Sequence, residues 1–214
     1  MEEKIIELAT QYAKRMFENE GSGHDFWHTL RVYNNAMLIA KNETCDIFVV
    51  RLASLLHDVD DQKIFGGVVG QYDNAQKFMI ENNVPEEVIA KVCNIISKIS
   101  YKGADFEKMD TIEGEITQDA DRLDAIGAIG IARTFAFGGN KNREMYNPNI
   151  PPREQVTAEE YKNNKESTIN HFYEKLLKLK DLMNTKTGKE ISEQRHKFME
   201  TFLKEFFDEW NGES

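Results

Sequence analysis

The sequence predicts an all-α fold, and three observations carry that reading. Apolar residues recur at three- and four-residue spacing through most of the chain, no stretch alternates with period two, and helix breakers are scarce. Thirteen glycines and four prolines occur in 214 residues, and the prolines sit at positions 85, 148, 151 and 152, so most of the chain meets no proline stop.

The elements follow in order. Residues 2–18 carry Ile5, Ile6, Leu8, Tyr12 and Met16 at helical spacing, and Glu20-Gly21-Ser22-Gly23 ends that helix. A second helix begins near Asp25, a residue type that caps helix N-termini, and runs through Leu30, Val32, Met37, Leu38 and Ile39 to about Lys41. Residues 46–59 are apolar almost all round, which predicts a buried central helix. Helices near 70–83, 86–100 and 112–136 come next, with turns at Gly66-Gly67, Pro85 and Gly103. Residues 138–156 have loop composition, and a loop that long inside a helical chain is often functional. Two amphipathic helices close the chain, about 158–184 and 189–210, split at Thr185-Lys186-Thr187-Gly188. No repeat and no second domain is apparent, so 1–214 reads as one domain.

Charge and cysteine use narrow the function classes. The net charge is −10 and the pI about 5.1, a poor match for non-specific nucleic-acid binding or an anionic membrane. No apolar stretch approaches the ~18 residues of a membrane span, and Met1-Glu2-Glu3-Lys4 lacks the pattern of a signal peptide. Cys45 and Cys93 cannot build a disulfide framework, and no CxxC occurs, so a reducing, cytoplasmic setting is the expectation.

The chemistry concentrates in three segments. His57-Asp58 follows Leu55-Leu56 in the most apolar helix, where an unpaired carboxylate is costly. A metal, an arginine or a histidinium must compensate it, or Asp58 bonds a neighbouring helix and His57 is an ordinary core histidine. Asp119, Asp121 and Asp124 lie in an otherwise apolar run with no lysine nearby. A solvated face explains such a run as a rule, but a cation explains it better in a buried helix. His24 and His28 are spaced i, i+4, and Arg31 follows one turn after His28. Together these segments offer two nitrogen and two oxygen donors.

The order His28, His57-Asp58, Asp121 resembles the HD superfamily of metal-dependent phosphohydrolases. The resemblance rests on His28-Thr29-Leu30-Arg31-Val32, Leu55-Leu56-His57-Asp58-Val59 and Ala120-Asp121-Arg122-Leu123, with their order and spacing. Gln118 to Ala128 and His171-Phe172-Tyr173-Glu174-Lys175-Leu176-Leu177 are similar to a bacterial subgroup, the YpgQ/YedJ type. The resemblance implies an HD-domain helical bundle, with its core at about 20–135 and a C-terminal helical extension at about 157–212. It implies His28, His57, Asp58 and Asp121 as ligands of one divalent metal ion, with His24-Asp25 a rival for the first position. Manganese is the implied ion, with magnesium, cobalt, nickel or iron as alternatives. No histidine falls between His57 and His171, which argues against a second metal.

The implied activity is hydrolysis of a phosphoanhydride or phosphoester by a metal-activated water. A nucleoside triphosphate pyrophosphohydrolase leads. A nucleoside monophosphate phosphatase or an alarmone hydrolase is the alternative, and a non-catalytic nucleotide-binding sensor is the reading from another class. Asp61 and Asp124 are candidates for handling the water's proton, against the plainer reading of Asp60-Asp61 as an acidic helix-end turn. His24, Arg31, Lys63, Lys98, Arg122 and Lys186 are candidates for binding the phosphates of a small-molecule substrate, with Arg143 and Arg195 less favoured. Such charges are more often solvated surface, Lys186 with Arg143 and Arg195 above all, while Arg31 and Arg122 are favoured because they adjoin the ligand positions. Thr185-Lys186-Thr187-Gly188 has neither an upstream glycine pair nor a strand before it, so a phosphate loop is excluded and a helix–helix turn fits.

Overall fold

The computed structural model describes residues 1–18, 25–60, 73–99, 108–153 and 167–213. Among them there are helices and no strands, as the periodicity predicts. The helices are α1 (Glu2–Met16), α2 (Phe26–Ala40), α3 (Ile47–Leu56), α4 (Asp73–Glu81), α5 (Glu86–Ile99), α6 (Ile112–Asp124), α7 (Gly127–Asn140), α8 (Asn170–Glu174) and α9 (Lys186–Asn211), with a 3-10 segment over Leu176–Leu182. The chain divides into two compact units, Met1–Asp121 and Arg122–Ser214.

In the first unit α3 is the central element, and α1, α2 and α5 pack on it. Asp46 caps its start, its carboxylate accepting the Phe48 and Val49 N–H groups at 3.1 and 3.3 Å. Val49, Leu52, Leu55 and Leu56 are buried there with Ile5, Ile6 and Ala9 of α1 and Val92 and Ile95 of α5 in one core cluster. Ala9 and Ala13 have no exposed surface, and such small side chains let α1 approach closely. Asp25 caps α2 as its residue type predicts, accepting the His28 N–H at 2.8 Å. Helix α4 ends on Asn83 in the left-handed region (φ 57°), and the Val84 N–H returns to the Met79 carbonyl at 3.0 Å.

Helix α3 is shorter than its apolar run suggests. It stops at Leu56, and residues 57–60 form a turn, so His57 and Asp58 stand at its C-terminal end and not inside it. Hydrophobicity marked where the chain is buried, and burial does not end with the helix: Val59 is as inaccessible as Leu56.

The predicted helix 112–136 is two helices. Gly127 has φ 76°, a conformation open to glycine, and the chain turns there between α6 and α7. Two guanidiniums cover the carbonyl end of α6, Arg195 donating to Leu123 and Arg133 to Asp124. The predicted 158–184 helix is also interrupted in its described part. Leu176, Leu179 and Leu182 have the three-residue spacing of a 3-10 turn, and the first two are buried. Thr185 is an N-cap: its hydroxyl oxygen accepts the Gly188 N–H at 3.0 Å, so α9 starts at Lys186, inside the segment read as a turn. In this second unit Phe172 is fully buried between Phe135 and Phe202, with ring centroids 6.2 and 5.8 Å away. Arg153 and Glu174 form an ion pair that fastens the chain after α7 to α8.

Candidate metal centre

Three elements of the first unit bring four side chains to one point. His28 comes from the first turn of α2, His57 and Asp58 from the end of α3, and Asp121 from α6. The two imidazole Nε2 atoms are 3.2 Å apart. The Asp58 Oδ2 is 3.2 Å from His57 Nε2 and 3.3 Å from His28 Nε2. The Asp121 Oδ1 is 3.5 Å from His28 Nε2 and 4.0 Å from His57 Nε2. Donor atoms held ~2.0–2.2 Å from one ion lie about 3–3.5 Å from each other, and His28, His57 and Asp58 have that spacing, with the Asp121 carboxylate beside the two imidazoles.

Burial is uneven. His28, His57 and Asp58 are buried, whereas the Asp121 side chain is 30% exposed, so solvent reaches the cluster on the Asp121 side. The His57 ring is oriented from behind: its Nδ1 lies 2.9 Å from the Ser54 carbonyl, which can only accept, so Nδ1 carries hydrogen and Nε2 faces the cluster. Helix α6 is held to α2 beside the cluster, because the buried Asn35 donates its Nδ2–H to the Ala120 carbonyl at 3.3 Å. Asn35 lies seven residues after His28, on the same helical face, and that spacing was the one sequence signal for it. The Ser54 carbonyl is backbone and leaves no mark in the sequence.

These features agree with the relatives of the chain. The family model of the HD domain matches residues 26–126. The Bacillus subtilis protein YpgQ is 36% identical over 204 residues, 94% of this chain and 92% of its own. The crystal structure of an HD-superfamily hydrolase from Bacillus thuringiensis is 42% identical, with a TM-score of 0.78 and 99% of both chains covered. The chain belongs to the HD-superfamily hydrolases. This HD hydrolase is also similar to a Lactobacillus plantarum protein of known structure, with a TM-score of 0.85, 35% identity and 97% of each chain covered. YpgQ has been crystallised in complex with ADP; that structure is 34% identical, has a TM-score of 0.73 and covers 96% of this chain and 100% of its own. No helix among the described residues is long and apolar enough to cross a membrane.

The other candidates of the HD hydrolase are placed as follows. Arg31 is half-buried on α2, one turn after His28. Lys98 is ion-paired with Asp110 at 2.9 Å. The Arg122 guanidinium donates to the Leu182 carbonyl, and Asp124 is ion-paired with Arg133 at 2.7 Å. Lys186 is exposed on the first turn of α9, 3.9 Å from Glu190. Arg143 lies over the Phe137 ring, 5.4 Å from its centroid. His24, Asp61 and Lys63 lie outside the described residues.

Burial pushes the His57 imidazolium down, but the Asp58 carboxylate, Asp121 and the Ser54 carbonyl outweigh it and push its pKa up to about 9. The folded value lies above the ordinary 6.5, so this proton contributes stability fully below pH 6.5 and that stability is lost as pH rises through about 9. A divalent ion must displace the proton to use Nε2. Binding of Mn²⁺ is therefore expected to release about one proton near pH 7.5 and to tighten with pH until about 9. Calorimetry in two buffers of different ionisation enthalpy measures this; release of no proton contradicts it.

Proposed function

We propose that the protein hydrolyses nucleoside triphosphates to the monophosphate and pyrophosphate, with one divalent ion, Mn²⁺, held by His28, His57, Asp58 and Asp121. The cluster of His28, His57 and Asp58, with the partly exposed Asp121 carboxylate beside its imidazoles, is the observation that supports this reading. The ADP bound by YpgQ supports a nucleotide as the substrate. When bound, the ion supplies Lewis acidity for a water and for the phosphoryl oxygens.

The residues of the chain do the rest. Two imidazoles and two carboxylates match a divalent charge and leave positions open to solvent. Ser54 orients His57, and Asn35 keeps α6 against α2. In a chain of net charge −10, a polyphosphate needs local positive charge, and Arg31, one turn from His28, is the nearest such residue along α2. Asp124 is committed to Arg133, so Asp61 is the acid we assign to the proton of the attacking water.

A panel of nucleoside tri-, di- and monophosphates assayed for phosphate, with and without added pyrophosphatase and with Mn²⁺, Mg²⁺, Co²⁺ or Ni²⁺, tests this. The expected result is phosphate from triphosphates only when pyrophosphatase is present. Phosphate from monophosphates without it indicates a phosphatase instead. Nucleotide binding without any release, under every metal, indicates a sensor and overturns the proposal.

A further inference from the structure

Asp60 follows the His57-Asp58 pair by two residues and closes the turn 57–60. Its carboxylate accepts two backbone N–H groups of α4, Oδ1 from Asn74 at 2.9 Å and Oδ2 from Ala75 at 3.0 Å. Asn74 also donates its Nδ2–H to the Val59 carbonyl at 3.0 Å. Three hydrogen bonds thus join Val59-Asp60 to a helix start 14 or 15 residues later in the chain. A carboxylate bonded to first-turn N–H groups is a strong cap, because the ionised acceptor meets the positive end of the helix.

The other end of this link is fixed in the core. Ala75 and Met79 of α4 have no exposed surface, and Phe78 stacks on Tyr12 with centroids 4.8 Å apart. Past the end of α3, the Val59 N–H reaches the Leu56 carbonyl at 3.3 Å. This end of α3 carries His57 and Asp58, so whatever fixes the turn also fixes these two side chains.

We propose that Asp60 is a positioning residue of the metal centre: by capping α4 it holds the turn that sets His57 and Asp58 at ligand spacing. The proposal rests on the reading of the cluster as a divalent-cation site. It makes docking of α4 and metal affinity two sides of one equilibrium, so weakening either weakens the other. Outer partners of metal ligands are typically worth ~10–100-fold in affinity, and Asp60→Ala is expected to lose Mn²⁺ affinity within that range.

The test separates positioning from loss of stability. Asp46 caps the opposite end of α3 through two N–H groups of comparable length, which makes Asp46→Ala the matched control. The full chain and its variants Asp60→Ala, Asp60→Asn, Asp46→Ala and Asp58→Ala are titrated with Mn²⁺ by electron paramagnetic resonance, and their metal-free melting temperatures are recorded. Asp46→Ala is expected to melt earlier yet bind Mn²⁺ within about twofold of the parent, while Asp60→Ala weakens binding ~10–100-fold and Asp60→Asn, with one acceptor oxygen left, falls between. In the activity assay, the kcat of Asp60→Ala should recover at high Mn²⁺. Parental affinity in Asp60→Ala overturns the proposal, as does equal loss in the Asp46 and Asp60 variants. If Asp60→Ala does not fold, Asn74→Ala, which removes only the bond to Val59, must show a severalfold loss for the proposal to stand. Failure of the parent to bind Mn²⁺, or parental binding in Asp58→Ala, fails the cation-site reading itself. Parental binding together with an unaffected Asp60→Ala fails the Asp60 proposal alone.

Discussion

Asp58→Ala is expected to abolish hydrolysis and to weaken Mn²⁺ binding by more than the ~10–100-fold that outer partners contribute. Asp58 Oδ2 is the atom that both imidazoles share, at 3.2 and 3.3 Å. Removing it takes one negative charge from the cluster and leaves two nitrogens facing each other 3.2 Å apart. The largest of the interactions that hold the His57 proton against burial is then gone, so the proton is released at lower pH than in the parent. Asp58→Asn separates charge from shape, because it keeps the volume and removes the carboxylate; it should fail almost as completely. Melting temperatures of the metal-free proteins show whether the variants remain folded. A folded Asp58→Ala enzyme with parental turnover at parental metal concentration would refute the assignment of the site.

Gly130→Ala is expected to destabilise the chain by about 3 kcal/mol, the upper end of what single substitutions ordinarily cost. A Cβ at Gly130 would lie 2.3 Å from the Ala125 carbonyl oxygen and 2.5 Å from its carbon. Both are backbone atoms, so no rotamer change relieves the overlap. The turn cannot easily open either, since Arg195 and Arg133 hold the Leu123 and Asp124 carbonyls at the end of α6. For a chain of this size the melting temperature should fall by roughly 6–12 °C. Gly139→Ala supplies the contrast within the same helix. A Cβ there meets nothing within 4 Å, and glycine in a helix costs roughly 0.5–1 kcal/mol relative to alanine, so that variant should be neutral or slightly stabilised. Equal melting temperatures in the two variants would contradict this account of the turn.

The turn between α6 and α7 also shows where sequence reading stops. Residues 125–130 read Ala-Ile-Gly-Ala-Ile-Gly, and their apolar spacing continues the helix on either side. Periodicity records which face is buried, and it does not register that the face changes direction when one glycine adopts φ 76°. Thr185 shows the same limit from the other side. Its residue type favours a cap, but the choice between a turn and a helix start depends on its hydroxyl meeting the Gly188 N–H. Lys98, Arg122 and Asp124 are legible as charges in the right neighbourhood. Their partners Asp110, Leu182 and Arg133 come from other parts of the chain and decide how much of each charge is left for a substrate.

The sequence by itself determined the helical class and the supply of chemistry. The helices came from spacing that repeats every three or four residues. The chemistry came from imidazoles and carboxylates set in runs too apolar to tolerate them uncompensated. Those are local properties, carried by residue type and by neighbours within a turn or two. Only the tertiary structure decided that the two imidazoles lie 3.2 Å from each other and 3.2–4.0 Å from the Asp58 and Asp121 carboxylates, that Ser54 orients His57 and Asn35 ties α6 to α2, and that Asp60 fastens the turn to α4. The reason is physical. Hydrogen bonds and coordination act over about 3 Å in space, and here they join Asp60 to Asn74, Asn35 to Ala120 and His28 to Asp121, residues far apart along the chain, for which no local pattern can stand.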